Sequence, residues 1–417
     1  KVHCTVFAQY SFTYIVIGLL LFVLDNTGFT MGSISAASAE FCFEVFKELK
    51  VQQINENICF SSMSIISALS MVYLGARENT RDQIEKVVPF DKIPGFGETV
   101  ESQCATTSSV HTSLKGLFTQ ITKPSENYSL GFASRLYAAE TYPILPEYLQ
   151  CAKELYKGGI ESISFQTDAD QARQLINSWV ESQTSGMIKN ILQPSSVDPQ
   201  TVMVLVNAIS FKGMWEKAFK AEDTQMTATF RMTEQESKPV QMMYQIGSFK
   251  MAVMAPEKMK ILELPYASGQ MSMLIMLPDD VSGLQQIEAA MTPEKLMEWT
   301  SSSAMEERKM KVYIPRMKME EKYNLTSVLM ALGITDLFSS SANLSGISSA
   351  ESLKMSGAVH EALVEIDEAG KEVVGSSGAG MDVTSVSEEF RADHPFLYSV
   401  RHNPTNSILF FGRCFSP

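Results

Sequence analysis

Val364-Glu365-Ile366-Asp367-Glu368-Ala369-Gly370-Lys371-Glu372 leads into a stretch rich in Val, Gly, Ser and Ala, which ends at Phe390-Arg391-Ala392-Asp393-His394-Pro395-Phe396-Leu397. The first segment reads as a strand running out to a glycine, and the last as an apolar strand anchored by proline. Between them lies the composition of an exposed loop displayed on a rigid body. The rest of the chain has to supply that body.

Working outward, Ala36 to Lys50 carries Cys42, Phe43, Val45, Phe46 and Leu49 at helical spacing against Glu40, Glu44, Lys47 and Glu48, which predicts an amphipathic helix. Helical patterns recur over Asp168 to Thr184 and Tyr323 to Leu332. Val202 to Ile209 is an almost unbroken apolar run, as expected of a strand covered on both faces. Met271 to Leu277 and Met310 to Ile314 are strands each stopped by proline. Helices gather in the first half and strands in the second, which reads as α+β, and nothing in the 417 residues looks like a linker.

A hydrophobic content of 45% can fill a large single core, and the net charge of -13, without a basic run, argues against nucleic acid as a partner. The six cysteines, Cys4, Cys42, Cys59, Cys104, Cys151 and Cys414, form no CxxC pair and no Cys/His cluster at zinc spacing. His360-Glu361-Ala362-Leu363-Val364 begins like a zincin helix but ends on Val where the second histidine is required. Gly375-Ser376-Ser377-Gly378-Ala379 misses the nucleophile-elbow spacing, and Gly95-Phe96-Gly97 lacks the third glycine of a phosphate cradle. No constellation for catalysis remains, and no cofactor or metal is implied.

Further motifs follow in order along the chain. They are Asn57-Ile58 through Ser64-Ile65-Ile66-Ser67-Ala68-Leu69-Ser70-Met71 with Gly75-Ala76 and Thr80; Asn177-Ser178-Trp179-Val180 with Thr184, Gly186 and Ile188; Asn207-Ala208-Ile209-Ser210-Phe211-Lys212-Gly213-Met214-Trp215; and Ser407-Ile408-Leu409-Phe410-Phe411-Gly412-Arg413. Together with the opening stretch they resemble the serpins, from Met31 onward. Tyr142-Pro143-Ile144-Leu145-Pro146-Glu147-Tyr148-Leu149-Gln150-Cys151 resembles the egg-white branch of that family.

The resemblance implies about nine helices around three β-sheets, a single domain over 31–417 and a reactive loop at about 368–390. In inhibitory members a protease cleaves that loop, which then inserts as a new strand in the central sheet. Counted from Glu368, the scissile bond falls at Thr384-Ser385. Inhibitory hinges carry Thr or Ser directly after the glycine and then alanines, whereas here Lys371 follows Gly370 and Val373-Val374 replace small residues. Alternate residues of an inserted strand enter the core. A buried, unpaired ammonium there costs several kcal/mol, where about 1.4 kcal/mol on the insertion barrier already costs tenfold in rate; the alternative is that Lys371 snorkels out at the sheet's end. The expectation is therefore a non-inhibitory storage serpin with an impaired hinge, the alternative being a working serine protease inhibitor.

The resemblance also implies a Cys104–Cys151 disulfide, worth about 4 kcal/mol in the chain-entropy model. Of the sequons at Asn127, Asn324 and Asn343 it favours Asn324 as the glycan site. Thr99 and Ser376 are weaker candidates for phosphate, since Thr99 replaces the usual serine and Ser376 lacks a downstream acid. Residues 1–30 read as an N-terminal extension whose run Tyr14 to Leu24 has the length of a signal-peptide core. The family alternative is an internal, uncleaved export segment around Gln52 to Glu78. The expected protein is secreted and monomeric, without stable membrane insertion, and meets proteases as a substrate at its loop. Ser61-Ser62 departs from the family's Ser-Pro.

Overall fold

The computed structural model describes residues 34–102, 105–370 and 388–417, and no side chain of 99–108. Cys104, Lys371, Val373, Ser376, Thr384 and Ser385 lie outside the described residues, as does the extension 1–30.

Helix α1 spans 34–52 and buries Cys42, Val45, Phe46 and Leu49 as its periodicity requires, while Phe43 is half-buried beneath the Lys47 ammonium. Strand β1 (Ile58–Phe60) leads to α2 (Ser62–Gly75), which is buried nearly all round. An apolar helix without a polar face can be stable only inside the molecule. Then follow α3 (Glu78–Val87), the hairpin β2 (Thr99–Ser102) and β3 (Ala105–Ser108), α4 (Ser109–Ile121), β4 (Tyr128–Ala139), α5 (Pro146–Leu155) and β5 (Ile160–Ile163). Helix α6 (Ala169–Gln183) is capped by Asp168, whose carboxylate accepts from the Gln171 N–H at 2.8 Å.

Strand β6 (Met203–Gly213) is the apolar run read from sequence. Strands β7 (Gln225–Arg231), β8 (Ser237–Met254), β9 (Met259–Pro265) and β10 (Met271–Pro278) follow, then α7 (Leu284–Ala290), α8 (Pro293–Trp299) and β11 (Glu306–Pro315). Strand β12 (Met317–Asn324) takes up Tyr323, which the sequence had placed in a helix; α9 (Leu325–Leu332) starts only after the Asn324 cap. The remainder is β13 (Gly357–Ile366), β14 (Glu389–Arg391), β15 (Phe396–His402) and β16 (Ser407–Cys414).

Among the described residues, these strands form a nine-stranded sheet β1-β16-β15-β10-β9-β8-β11-β14 with β7 on β8, a five-stranded sheet β12-β13-β6-β4-β5, and the hairpin. The α+β expectation of about nine helices and three sheets holds. Helix α6 lies on one face of the five-stranded sheet, packing Ala172, Ile176 and Val180 on Ala133, Tyr137, Val206 and Ala208. On its other side, α2 and the nine-stranded sheet share the main core. Strands β13 and β6, far apart in sequence, pair in parallel from Gly357↔Val204 to Glu365↔Lys212. That seam runs to within a few residues of Gly370, the last residue described before 388.

Candidate functional site: the strand seam and the loop root

Beyond Ile366 the chain is held against the segment that follows β6. The Trp215 indole N–H donates to the Asp367 carbonyl at 2.8 Å, and the Trp215 and Phe219 backbone N–H groups donate to the carbonyls of Ala369 at 2.9 Å and Glu368 at 3.1 Å. Trp215 is itself fixed by stacking on Tyr266, with centroids 4.5 Å apart. The Glu368 carboxylate accepts from the Thr224 hydroxyl at 2.9 Å and faces Arg316 at 3.8 Å. A Cβ at Gly370 would sit 2.5 Å from the Ala218 Cα, so glycine is required here by close backbone approach. Glu368 and Gly370, expected from the resemblance to lie at the hinge, are thus both held at the mouth of the seam.

Lys212, near the end of β6, reaches across that mouth to Glu365 at 2.5 Å and Asp367 at 2.8 Å. Hydrogen bonds to Asp367 and then Glu365 raise the lysine above its ordinary value. Burial works to raise Asp367, but the bonds from Lys212 and the Ala369 N–H prevail and hold it low. The clasp is partly exposed, so solvent screening limits its worth.

Deeper along the seam, His360 of β13 stands in register with Asn207 of β6. His360 Nδ1 donates to Asn207 Oδ1 at 2.6 Å, while its Nε2 accepts the Ser61 N–H at 3.1 Å. Burial pushes His360 down to about 3, so the ring is neutral and these two bonds define its tautomer. Asn207 also accepts from the Ser64 hydroxyl at 3.0 Å and donates to the Ser64 carbonyl at 3.1 Å. Ser61 in turn caps α2, its hydroxyl accepting from the Ser64 N–H at 3.1 Å. A buried polar network thus ties both seam strands to the start of α2. Admitting a strand requires β13 and β6 to part from about 4.8 Å to about twice that, which breaks the ladder, the His360–Asn207 bond and the Lys212 clasp together.

The zincin-like start at His360 lies on a strand, and both ring nitrogens are engaged. Among the described residues no group of three or more His, Cys, Asp or Glu side chains could hold a metal. No described helix is long and apolar enough to cross a membrane.

The three sequons differ in setting. Asn324 caps α9 at an exposed position, with Oδ1 accepting the Thr326 N–H at 3.1 Å. Asn343 commits its amide to Glu78 at 3.0 Å, and Asn127 is half-buried. Cys151 is buried on α5; Thr99 opens β2. Sequence reasoning did not anticipate the roles of Lys212, Asn207 or His360. The available signal was a polar residue inside an apolar strand run, which has to find a buried partner.

The model of the family described as "Serpin (serine protease inhibitor)" matches residues 36–417. The ovalbumin of Meleagris gallopavo is 73% identical over 387 residues, spanning 93% of this chain and all of that protein. The crystal structure of uncleaved ovalbumin aligns with a TM-score of 0.86 at 70% identity, covering 92% of this chain and 100% of that one. A loop-inserted structure of a cleaved ovalbumin arginine-to-threonine mutant aligns at 0.81 and 66%, with the same coverage. On this evidence the chain belongs to the serpin family.

Proposed function

We propose that this serpin is a secreted, glycosylated, non-inhibitory egg-white storage protein, a monomer folded as one domain over 31–417. The observation that carries the proposal is Lys371, which directly follows the last anchored residue of the loop root, Gly370. The closed, parallel-paired seam adds a barrier to opening. Each 1.4 kcal/mol added to the insertion barrier slows insertion tenfold, and trapping a protease requires insertion to outrun completion of proteolysis. High identity to ovalbumins over their full length supports the same reading, as does the fact that the loop-inserted relative carries threonine in place of an arginine.

Under this reading proteases meet the loop at Thr384-Ser385 as a substrate, without a durable complex. Asn324 carries the glycan, its exposed amide supporting that choice over Asn343 and Asn127. Cys151 pairs with Cys104, and Thr99 and Ser376 are minor phosphate acceptors. The test is thermal unfolding before and after loop cleavage by elastase, with a denaturing gel for covalent complex. The storage reading expects an unchanged unfolding temperature and no complex. A large rise together with a denaturation-resistant complex would establish the inhibitor instead.

A further inference from the structure

Beside the Trp215 segment opens a cavity of about 550 Å³. Its walls are Trp215, Phe249 and Leu264, all buried, closed on one flank by Pro265. The volume lies within the range of small-molecule sites, and the apolar walls share the lining with a majority of polar and charged side chains. One polar group has no role in the fold: Gln245 is 7% exposed, and its amide oxygen is buried without a hydrogen-bond partner. Such an acceptor costs free energy unless something donates to it. Ser272 at the floor already accepts from the Asn403 amide at 2.9 Å.

The charges around the cavity are unequal in their commitments. Glu263 is bound by Arg401 at 2.6 Å and by the Ser302 hydroxyl at 2.8 Å. Lys250 faces Glu263 on one neighbouring strand and Glu307 on the other. Glu216 stands exposed at the outer rim, where water and salt screen it. Lys217 lies over Gly247, its ammonium donating to the Ile246 carbonyl at 2.5 Å, with no carboxylate of the described residues in ion-pair range. Lys217 is, like Glu216, an exposed residue; partial desolvation of its ammonium, and then the neighbouring charge of Lys220, lower its proton affinity. An anion placed at Lys217 offsets the repulsion from Lys220.

We propose that this cavity binds a planar hydroxy-aromatic carboxylic acid, its ring between Phe249 and Leu264, its carboxylate on Lys217 and its hydroxyl donating to Gln245. The same Trp215 segment that forms the wall also holds Asp367 and Ala369. Occupancy therefore stabilises the loop root in its observed place.

The test uses the full, uncleaved chain, so it is independent of whether the loop inserts. Titration with 6-hydroxy-2-naphthoate, by equilibrium dialysis and tryptophan fluorescence, is expected to show one saturable site with Kd on the order of 10–100 µM. 2-Naphthoate, which lacks the hydroxyl, binds about fivefold more weakly. Lys217→Gln and Gln245→Leu each weaken the hydroxy acid about tenfold. Gln245→Leu removes an unpartnered buried amide oxygen and is expected to fold at least as well as the parent, so its binding defect is readable. Absence of saturable binding at millimolar ligand overturns the proposal, as does saturable binding that both variants leave unchanged.

Discussion

Asn207→Ala tests whether the polar network holds the seam closed. Asn207 is fully buried, and its oxygen receives both the His360 Nδ1–H and the Ser64 hydroxyl. Truncation leaves these two donors in an apolar interior at about 1–3 kcal/mol each, while the Ser64 carbonyl keeps its helical partner; the expected loss is about 4 kcal/mol. His360→Phe keeps a ring in place but orphans the Ser61 N–H, for about 2–3 kcal/mol. In the double variant the orphaned imidazole N–H no longer exists, so it should be about 2 kcal/mol more stable than the sum of the two losses implies. Urea unfolding of the four proteins measures the cycle, and hydrogen exchange of the amides of 358–364 reports whether the seam itself loosens. Additivity within about 0.5 kcal/mol, or unchanged exchange in Asn207→Ala, would show that the two strands are held by their ladder alone.

Three further outcomes follow from residues already described. Lys371→Thr with Val373→Ala and Val374→Ala should speed insertion after cleavage at least tenfold and raise the unfolding temperature of the cleaved form; insertion no faster than in the parent rejects the role given to the lysine. Ser62→Pro should stabilise by about 0.5–1 kcal/mol, because Ser62 opens α2, its N–H makes no backbone bond, and Ser61 at φ −122°, ψ 104° already has the extended conformation a following proline demands. A lower urea midpoint in Ser62→Pro would contradict this. Burial holds His360 near 3 and His111 and His402 near 4, each below the ordinary 6.5. The unfolded chain therefore binds more protons below pH 6.5, so stability is full above that value and falls as the pH drops toward the folded values. At pH 5 the loss is roughly 2 kcal/mol per histidine, and unfolding free energies equal at pH 7.5 and 5.0 would count against it.

The elements most legible in the sequence were those whose periodicity is decided by burial. The α1 face, the Asp168-capped α6 and the apolar β6 all appear within a few residues of their expected limits. Tyr323 was misread because its apolar ring fits a helical pattern, yet the ring stacks on His360 and its hydroxyl accepts from the Cys59 N–H at 3.1 Å, contacts available only to a strand. Strand β11 begins at Glu306, earlier than its apolar core suggested, since the ladder to β8 continues through exposed charged residues that leave no hydrophobic trace. At the site, Gly370 was singled out only through the resemblance to the serpins. The Asn207–His360 contact joins residues 153 apart, and no short window of sequence contains both. Lys212 likewise reads as an ordinary strand-end lysine until topology sets Glu365 and Asp367 opposite it.

Pairing of β1 with β16 has a consequence for synthesis. The cover over β1 and α2 is made by the last residues of the chain: Arg413 donates to the Glu56 carbonyl at 2.9 Å, and Asn57 accepts from the N–H groups of Phe415 and Ser416 at 2.9 Å each. Translation proceeds at ~5–20 residues per second, so roughly 20–70 s pass between the making of α2 and the making of its lid. Throughout that interval the helix that is most completely buried among the described residues stands open to whatever recognises nascent chains. A segment that is hidden in the finished molecule is therefore accessible for as long as the chain is being built.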